Sequence, residues 1–469
     1  MLTIEEILKS TGGRLISGTG NFPISGVSID SRTIKEGEIF VAIKGDNFDG
    51  HDFIDDAIKS GAAGVVVDEK HPITLPLAPK GRGNIVIISV VNTLSSLQEM
   101  ARYYRDKFII PLIGVTGSNG KTTTKEMIWH ILSHKFSVLK NEVNLNNHIG
   151  VPLTLFRLNP SHNIAVIEMG ISDRGELTRL CQIAMPTSAV ITNIGPTHLE
   201  KLKRIENVAE AKGEILSFIK PDGACVLNRD DTFFDVFRAK ARGRVVSFGM
   251  SSDSDVYAKS SDTALAGKSI EKTTFTLICP PGEVDISLNA AGLHNLYNAL
   301  CAAAASYALG ANLEDIKYGL EMFAPLKMRS AFENVGGVYI INDTYNANPA
   351  SMVAAIDTLK GVKEGKQKFI VLGDMLELGD NSVIAHRDLG IYIAGAGIDG
   401  LIAVGGFADY VADGAIGAGM NEDNVQTCMD YTETLEKIKQ WLKKGDILLV
   451  KGSRGMKMEK IIEGLKESL

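Results

Sequence analysis

No CxxC pair occurs in this chain of 469 residues, and its five cysteines (Cys181, Cys225, Cys279, Cys301 and Cys428) are scattered. Zinc sites and disulfide frameworks need paired or regularly spaced cysteines, so the pattern argues against both and for free thiols in a reducing compartment. Also missing is any apolar run of the roughly 18 residues needed to span a bilayer. The nearest, "ALCAAAASYALGA", is too short. A positive charge excess is missing too. The formal net charge of −7 offers no electrostatic case for nucleic acid or an anionic membrane surface. There is no fixed-period repeat and no low-complexity tract. The opening "MLTIEEILKSTGG" sets Glu5, Glu6 and Lys9 among its apolar residues. It reads as a short amphipathic helix closed by glycine rather than a signal peptide. These absences lead to the expectation of a soluble cytoplasmic protein with no membrane insertion and no nucleic-acid partner.

What is present is a chain of ordinary globular composition, 45% hydrophobic and 22% charged. Its length suggests roughly three domains, each large enough to bury a core. Residues 1–105 carry short apolar runs ("EIFVAI", "AGVVVD", "NIVIIS") and a helix-like "HDFIDDAIKSG", a small α/β unit. "HPITLPLAPKGRGN" is loop-like by its prolines and glycines. Between 106 and 325, strand-like runs ("FIIPLIGV", "NIAVIEMG", "SAVITNIG") alternate with helical patterns, which predicts a mostly parallel sheet flanked by helices. Within it "RVVSFGM", "SDVYAKS", "KTTFTLICP" and "EVDISLN" read as short, mostly antiparallel strands. From 326 to 469 the alternation restarts with "GVYIIND", "KFIVLGD", "GLIAVGG" and "DILLVKG", a Rossmann-like doubly wound domain. "EGKQK" near 366 reads as a solvated turn. The predicted fold class is α/β with three domains.

The most informative stretch is "GVTGSNGKTTTKEM", Gly114 to Met127. The run Ile109 to Val115 predicts a buried strand, and Met127, Ile128, Ile131 and Leu132 form the stripe of a helix that follows the loop. Strand, glycine loop and helix together are the setting a phosphate-binding loop requires. Glycines let backbone N–H groups close on phosphate oxygens, and the helix N-terminus adds partial positive charge. Lys121 would reach the β and γ phosphates, and Thr122 would offer a hydroxyl to Mg²⁺. The strict pattern wants glycine five positions before Gly120, where this chain has Val115 between Gly114 and Gly117.

Other candidates lie near predicted strand ends, where doubly wound sheets bind ligands. Glu168 ends "NIAVIE", where a Mg²⁺ ligand should sit, although a solvated strand-end glutamate has the same letters. His198 in "TNIGPTHLE" is a lone histidine, more often structural than a ligand. In "IENVAEAKGEILSFI", Val208, Ala211, Lys212, Ile215 and Ile219 form one helical stripe. That places Lys212 among apolar neighbours, where burial favours the neutral amine, or at an edge from which it snorkels to solvent. "NRDD" (Asn228 to Asp231) imitates a guanine-recognition signature, but the Asp-x-x-Gly that a GTPase switch would need is missing from "EMGISDRG".

In order and spacing, "TGSNGKTTT", "IEMG", "TNIGPTHLE", "AKGEI", "HNLYNALCAAA", Arg329 and "NDTYNANPASM" resemble the Mur ligases, ATP-dependent amide-bond ligases of peptidoglycan synthesis. The resemblance covers essentially the whole chain, including "DSRTIKEGEIFVAIKGDNFDGHDFI", "NNHIGVPLTLF", "LGDMLELG" and "VKGSRGMKME". An apolar residue at Val115 is tolerated in this family. Within it, "DTYNANP" and "GDNFDGHDFI" point to members that join D-alanyl-D-alanine to UDP-N-acetylmuramoyl-tripeptide. The resemblance implies ATP and two Mg²⁺ ions as cofactors, an acyl-phosphate intermediate, and a monomer. It implies an N-terminal UDP-substrate domain and a central ATP domain closed over by the third. ATP would be held by Gly114, Thr116, Gly117, Ser118, Asn119, Gly120, Lys121, Thr122 and Thr123. Asn295 and Asn298 would lie at the adenine, with Arg329 and Asp343 completing the ATP site. Mg²⁺ would be held by Thr122, Glu168, His198 and a carbamylated Lys212; Lys121, Lys212 and His198 would be catalytic. Asp30, Ser31 and Arg32 would face the UDP end of the substrate, and Asn146, Asn147, Asn346 and Asn348 other parts of it.

Two other ligases share parts of this pattern. A tripeptide synthetase should carry Asp-Asn-Pro-Arg or a relative in its third domain, and none is present. A folylpolyglutamate synthase lacks the N-terminal domain that residues 1–105 would form. A nucleotide-dependent switch is the rival from another class.

Overall fold

The computed structural model describes residues 1–71, 85–142, 144–259, 272–280, 282–362 and 365–468. Its strands form three sheets. The first comprises β1 (Arg14–Ser17), β2 (Gly26–Ser28), β3 (Glu38–Val41), β4 (Gly64–Asp68) and β5 (Val86–Val90), in the order β1-β5-β4-β3-β2. β2 to β5 are parallel, and β1 pairs antiparallel with β5. The second contains β6 (Leu112–Thr116), β7 (Val138–Lys140), β8 (Ile164–Glu168), β9 (Ser188–Ile191), β10 (Ala224–Asn228), β11 (Arg244–Gly249), β12 (Val256–Lys259), β13 (Thr273–Cys279) and β14 (Gly282–Leu288). Their order is β14-β13-β12-β11-β10-β9-β6-β8-β7. The third is β15 (Ala331–Val335), β16 (Val338–Asp343), β17 (Lys368–Gly373), β18 (Gly400–Val404), β19 (Val425–Cys428) and β20 (Ile447–Lys451), ordered β15-β16-β20-β17-β18-β19.

The chain divides into two compact units. One is residues 1–114, 136–171 and 175–188; the other is 115–135, 172–174 and 189–469. In the first, "GVVVD" and "VIISV" form β4 and β5 because β-branched residues suit strands buried on both faces. In the second, β16, β17, β18 and β20 are parallel with unbroken apolar runs. One face packs Ile341, Ile370, Leu372 and Leu449 against the helix Pro349–Gly361; the other packs Ile340, Val371 and Leu448 against the helix Glu459–Ser468.

Several elements differ from the sequence reading. The strand expected from Ile109 starts only at Leu112, and Ile109 is fully exposed. Pro111, which has no N–H to give a ladder, separates the two. "HDFIDDAIKSG" splits into a 3₁₀ turn, Gly50–Phe53, and a short helix, Ile54–Lys59. Of the four strands expected in 244–290, β12, β13 and β14 pair antiparallel as read, while β11 joins β10 and β12 in parallel. These four strands make up one end of the nine-stranded sheet. β15 and β19, absent from the sequence reading, flank the four expected C-terminal strands. The first helix, Ile4–Thr11, has a Thr3 capping box and ends at left-handed Gly12, as its sequence suggests. "HPITLPLAPKGRGN" lies almost wholly outside the described residues; of "EGKQK", Gly365 to Gln367 are exposed and Glu364 lies outside them. Among the described residues, no helix is long and apolar enough to cross a membrane.

Candidate active site

The loop after β6 is fixed by two glycines that nothing larger could replace. Gly120 is left-handed (φ 77°) and caps the helix Lys121–Leu132; a Cβ there would lie 2.1 Å from Asn298 Oδ1. Gly117 (φ 143°) would place a Cβ 1.9 Å from Thr192 Oγ1. The segment after β9 stitches the loop down. Asn193 accepts from Ser118 N (2.8 Å) through its carbonyl and from Asn119 N (3.0 Å) through its side chain. Thr192 Oγ1 donates to Asn119 O at 2.6 Å, and the Ser118 hydroxyl both donates to Gly195 O and accepts from Gly195 N. Lys121 Nζ curls over the loop, donating to Gly117 O (2.9 Å) and Ser118 O (3.1 Å). Thr116 Oγ1 is buried with no hydrogen-bond partner among the described residues. Such an orphan beside a glycine cradle and a helix N-terminus fits a phosphate ligand.

Thr122 is buried in the first turn of that helix, and Thr123 beside it is half-buried. Gly114 lies within β6. Asn298 packs beneath the loop, its Oδ1 accepting from Thr124 Oγ1 (3.4 Å) and its Nδ2 donating to Asn295 Oδ1 (3.3 Å). Asn295 donates to Ala291 O. Both asparagines are therefore tied into the helix Leu293–Ala308 and the underside of the loop.

The predicted stripe of Val208, Ala211, Lys212, Ile215 and Ile219 is buried throughout, Lys212 to 1% exposure. The α-helix itself ends at Gly213, and a 3₁₀ turn, Glu214–Phe218, carries Ile215. Burial, reinforced by the charge of Lys121, pushes the Lys212 amine well below its usual range. The snorkelling alternative is excluded by that burial.

His198 is left-handed (φ 54°), and its Nδ1 lies 2.7 Å from Glu377 Oε2. A carboxylate on Nδ1 sets the tautomer that leaves Nε2 as the lone-pair donor. That bond, ahead of burial's opposing effect, holds Glu377 below the usual carboxylate range. Glu377 is itself left-handed (φ 63°), and its carbonyl accepts from Glu200 N.

In the same unit the half-buried Asp343, ending β16, pairs with the buried Lys451 at the end of β20, Oδ2 to Nζ 2.6 Å. Burial raises the Asp343 pKa, but Lys451, His294 and the Ser330 amide together outweigh it and the net shift is downward. Lys451 also donates to Asn346 O at 2.8 Å. The Arg329 guanidinium lies 3.7 Å over the Tyr345 ring. Asn348 caps the helix Pro349–Gly361 through Ser351 N, and its amide also meets that of Asn119.

Three groups of predicted residues lie in the first unit. Glu168 is buried at the end of β8, accepting from Asn146 Nδ2 at 2.8 Å, with its backbone fixed by Asn141. Asn147 Oδ1 accepts from Ile149 N and Gly150 N at the start of the helix Gly150–Leu155. After β2, Asp30 binds the Arg32 fork at 2.9 and 2.7 Å, which brings its pKa down to about 2. Ser31 is buried between them.

Hydroxyl, carboxylate and imidazole donors of this kind suit a hard divalent cation that shares its remaining positions with phosphate and water. Among the described residues, no three His, Cys, Asp or Glu side chains converge on one point. Sequence reading missed Asn193, Glu377, Lys451 and Tyr345. All four stand in strings already singled out, but only folding shows what they touch.

Comparison with known proteins agrees in extent. The Mur ligase family catalytic domain matches residues 23–105, the Mur ligase middle domain 115–306, and the Mur ligase glutamate ligase domain 329–454. A UDP-N-acetylmuramoyl-tripeptide–D-alanyl-D-alanine ligase of Bacillus subtilis is 37% identical, covering 95% of this chain and 94% of its own. The Escherichia coli protein of the same name is 33% identical over 100% of this chain and 99% of its own. Among solved structures, MurF from Acinetobacter baumannii superposes with a TM-score of 0.89 at 32% identity, covering 100% and 99% of the two chains. MurF from Thermotoga maritima, in complex with ADP, gives 0.79 at 28% identity over 94% and 97%. With relatives this similar along nearly its whole length, the chain belongs to the Mur ligase family.

Proposed function

We propose that this protein joins D-alanyl-D-alanine to UDP-N-acetylmuramoyl-tripeptide, cleaving ATP to ADP and phosphate. The substrates follow from the full-length relatives of that name. The observation that carries the ATP-dependent step is the glycine cradle under Lys121, where a Cβ at Gly117 or Gly120 would fall about 2 Å from a neighbouring side chain.

A carboxylate oxygen of the tripeptide attacks the γ-phosphorus. The bond from that phosphorus to ADP breaks, leaving an acyl phosphate. The dipeptide nitrogen then adds to the acyl carbon, loses its proton, and expels phosphate as the carbon–oxygen bond breaks. Two anions must meet in the first step. Lys121, released from Gly117 O and Ser118 O, supplies positive charge at the phosphates, and Arg329 adds more. Thr122, Glu168 and His198 Nε2 would hold Mg²⁺, which when bound neutralises charge between phosphate and carboxylate. The neutral Lys212 amine is the form that can add CO₂, and the resulting carbamate is a further anionic donor. In this reading Asp30, Ser31 and Arg32 face the UDP end of the substrate, Asn146, Asn147, Asn346 and Asn348 serve other parts of it, and Asn295, Asn298 and Asp343 serve the nucleotide.

We read the chain as a monomer of three domains, 1–105, 106–325 and 326–469, the third closing on the second to keep water from the acyl phosphate. Five free, buried cysteines suit the cytoplasm. The test is phosphate release in the presence of ATP, Mg²⁺ and UDP-N-acetylmuramoyl-tripeptide. Release should require D-alanyl-D-alanine, and single amino acids should not replace it. Equal release without the dipeptide, and no new amide, would refute the reading.

A further inference from the structure

Arg329 sits between two left-handed residues, Met328 (φ 65°) and Ser330 (φ 50°). Neither is glycine, so the turn is strained and must be held by its surroundings. Two hydrogen bonds hold it: Ser330 N donates to the carboxylate oxygen Asp343 Oδ1 at 2.9 Å, and Tyr345 N donates to Met328 O at 3.0 Å. One anchor is the last residue of β16 and the other lies two residues beyond it. The Tyr345 ring then lies under the Arg329 guanidinium, 3.7 Å from centroid to carbon, with both side chains half-buried.

We propose that Tyr345 is a positioning residue for catalysis, acting through Arg329. A guanidinium stacked on a ring uses the face of its plane and leaves its in-plane N–H groups for phosphate oxygens. Stacking also removes most of the rotamer freedom that a long side chain would otherwise lose on binding. The stacking uses the ring of Tyr345, which phenylalanine retains. The inference rests on Arg329 serving ATP.

The test compares Tyr345→Leu, Tyr345→Phe, Arg329→Ala and the double variant Tyr345→Leu/Arg329→Ala. The readouts are kcat/KM for ATP, KM for the UDP substrate, direct binding of a fluorescent ATP analogue, and thermal unfolding. Tyr345→Leu should lower kcat/KM for ATP about tenfold and weaken analogue binding, with the UDP-substrate KM unchanged. Tyr345→Phe should behave as wild type. In the Arg329→Ala background, Tyr345→Leu should add nothing, because a residue acting through another has no effect once the other is gone. Additive losses, an inactive Tyr345→Phe, or an unimpaired Tyr345→Leu would overturn the proposal. If Arg329→Ala leaves ATP use intact, the prior assignment of Arg329 fails instead. A fall in unfolding temperature shared by Phe and Leu variants would mark a structural role and also overturn it.

Discussion

Asn348 donates its side-chain amide to Asn119 at 2.7 Å, and Asn119 returns a longer bond of 3.4 Å. One asparagine belongs to the phosphate loop; the other is the N-cap of the helix Pro349–Gly361. The loop is thereby joined to a helix N-terminus that begins in "DTYNANP". Asn348→Asp keeps a cap acceptor but sets an anion beside the phosphates. Its unfolding temperature should stay near wild type while ATP affinity falls at least about tenfold, as loss of a charge-assisted contact would give. Asn348→Ala should instead cost about 1 kcal/mol of stability through the lost cap. Calorimetry with nucleotide titration separates the two effects.

Gly120→Ala should abolish nucleotide binding while leaving much of the fold. A left-handed non-glycine residue costs about 1–2 kcal/mol, and the new methyl would meet Asn298 Oδ1 at 2.1 Å. Wild-type turnover in this variant would mean that the cradle is not the phosphate site.

Lys212→Met should be nearly inactive yet more stable at neutral pH, by about 1 kcal/mol, the usual scale when a functional strain is relieved. The folded-state pKa of Lys212 lies well below its reference value of 10.5. Between the two, the unfolded chain holds a proton that the native protein lacks, so native stability rises with pH across that window. The advantage of methionine should therefore be greatest at and below the depressed value and disappear as pH nears 10.5. Unfolding curves at several pH values check the sign. Rescue of Lys212→Ala turnover by a short carboxylic acid would in addition support the carbamate.

Lys451→Met should cost about 1–3 kcal/mol, because it leaves the half-buried Asp343 carboxylate without its cation. Asp343→Asn combined with Lys451→Met should recover much of that. The Asp343 carboxyl is held below its reference pKa of 3.8. The stability it contributes is complete above that value and is lost as pH falls through the folded-state value. The double variant should accordingly show a flatter acid limb in a pH titration of stability.

Arg32→Ala should raise KM for the UDP substrate about tenfold, the scale of one charged hydrogen bond, with KM for ATP unchanged. The opposite pattern would move the UDP end of the substrate elsewhere.

Much of this was legible in the letters because it is local. The glycine loop, the helix stripe of Met127, Ile128, Ile131 and Leu132, and the place of Lys212 on an apolar stripe all follow from short-range spacing, while the fold decided that Lys212 is buried rather than snorkelling. Local reading failed where pairing decides structure. The parallel addition of β11 and β12 to β10 and the flanking strands β15 and β19 depend on partners supplied by distant segments. Ile109 has the letters of a strand residue, but Pro111 interrupts the run and the strand begins only at Leu112.

By itself the sequence determined the chemistry available: a loop that only glycine permits, an amine placed on an apolar stripe, and carboxylate and histidine near strand ends. Only the tertiary structure decided which groups act on one another. Asn119 and Asn348 stand 229 residues apart, His198 and Glu377 179 apart, and Asp343 and Lys451 108 apart. No spacing rule brings such pairs together. Sheet order and loop length do, because a hydrogen bond or ion pair forms only when folding has set both partners within about 3 Å.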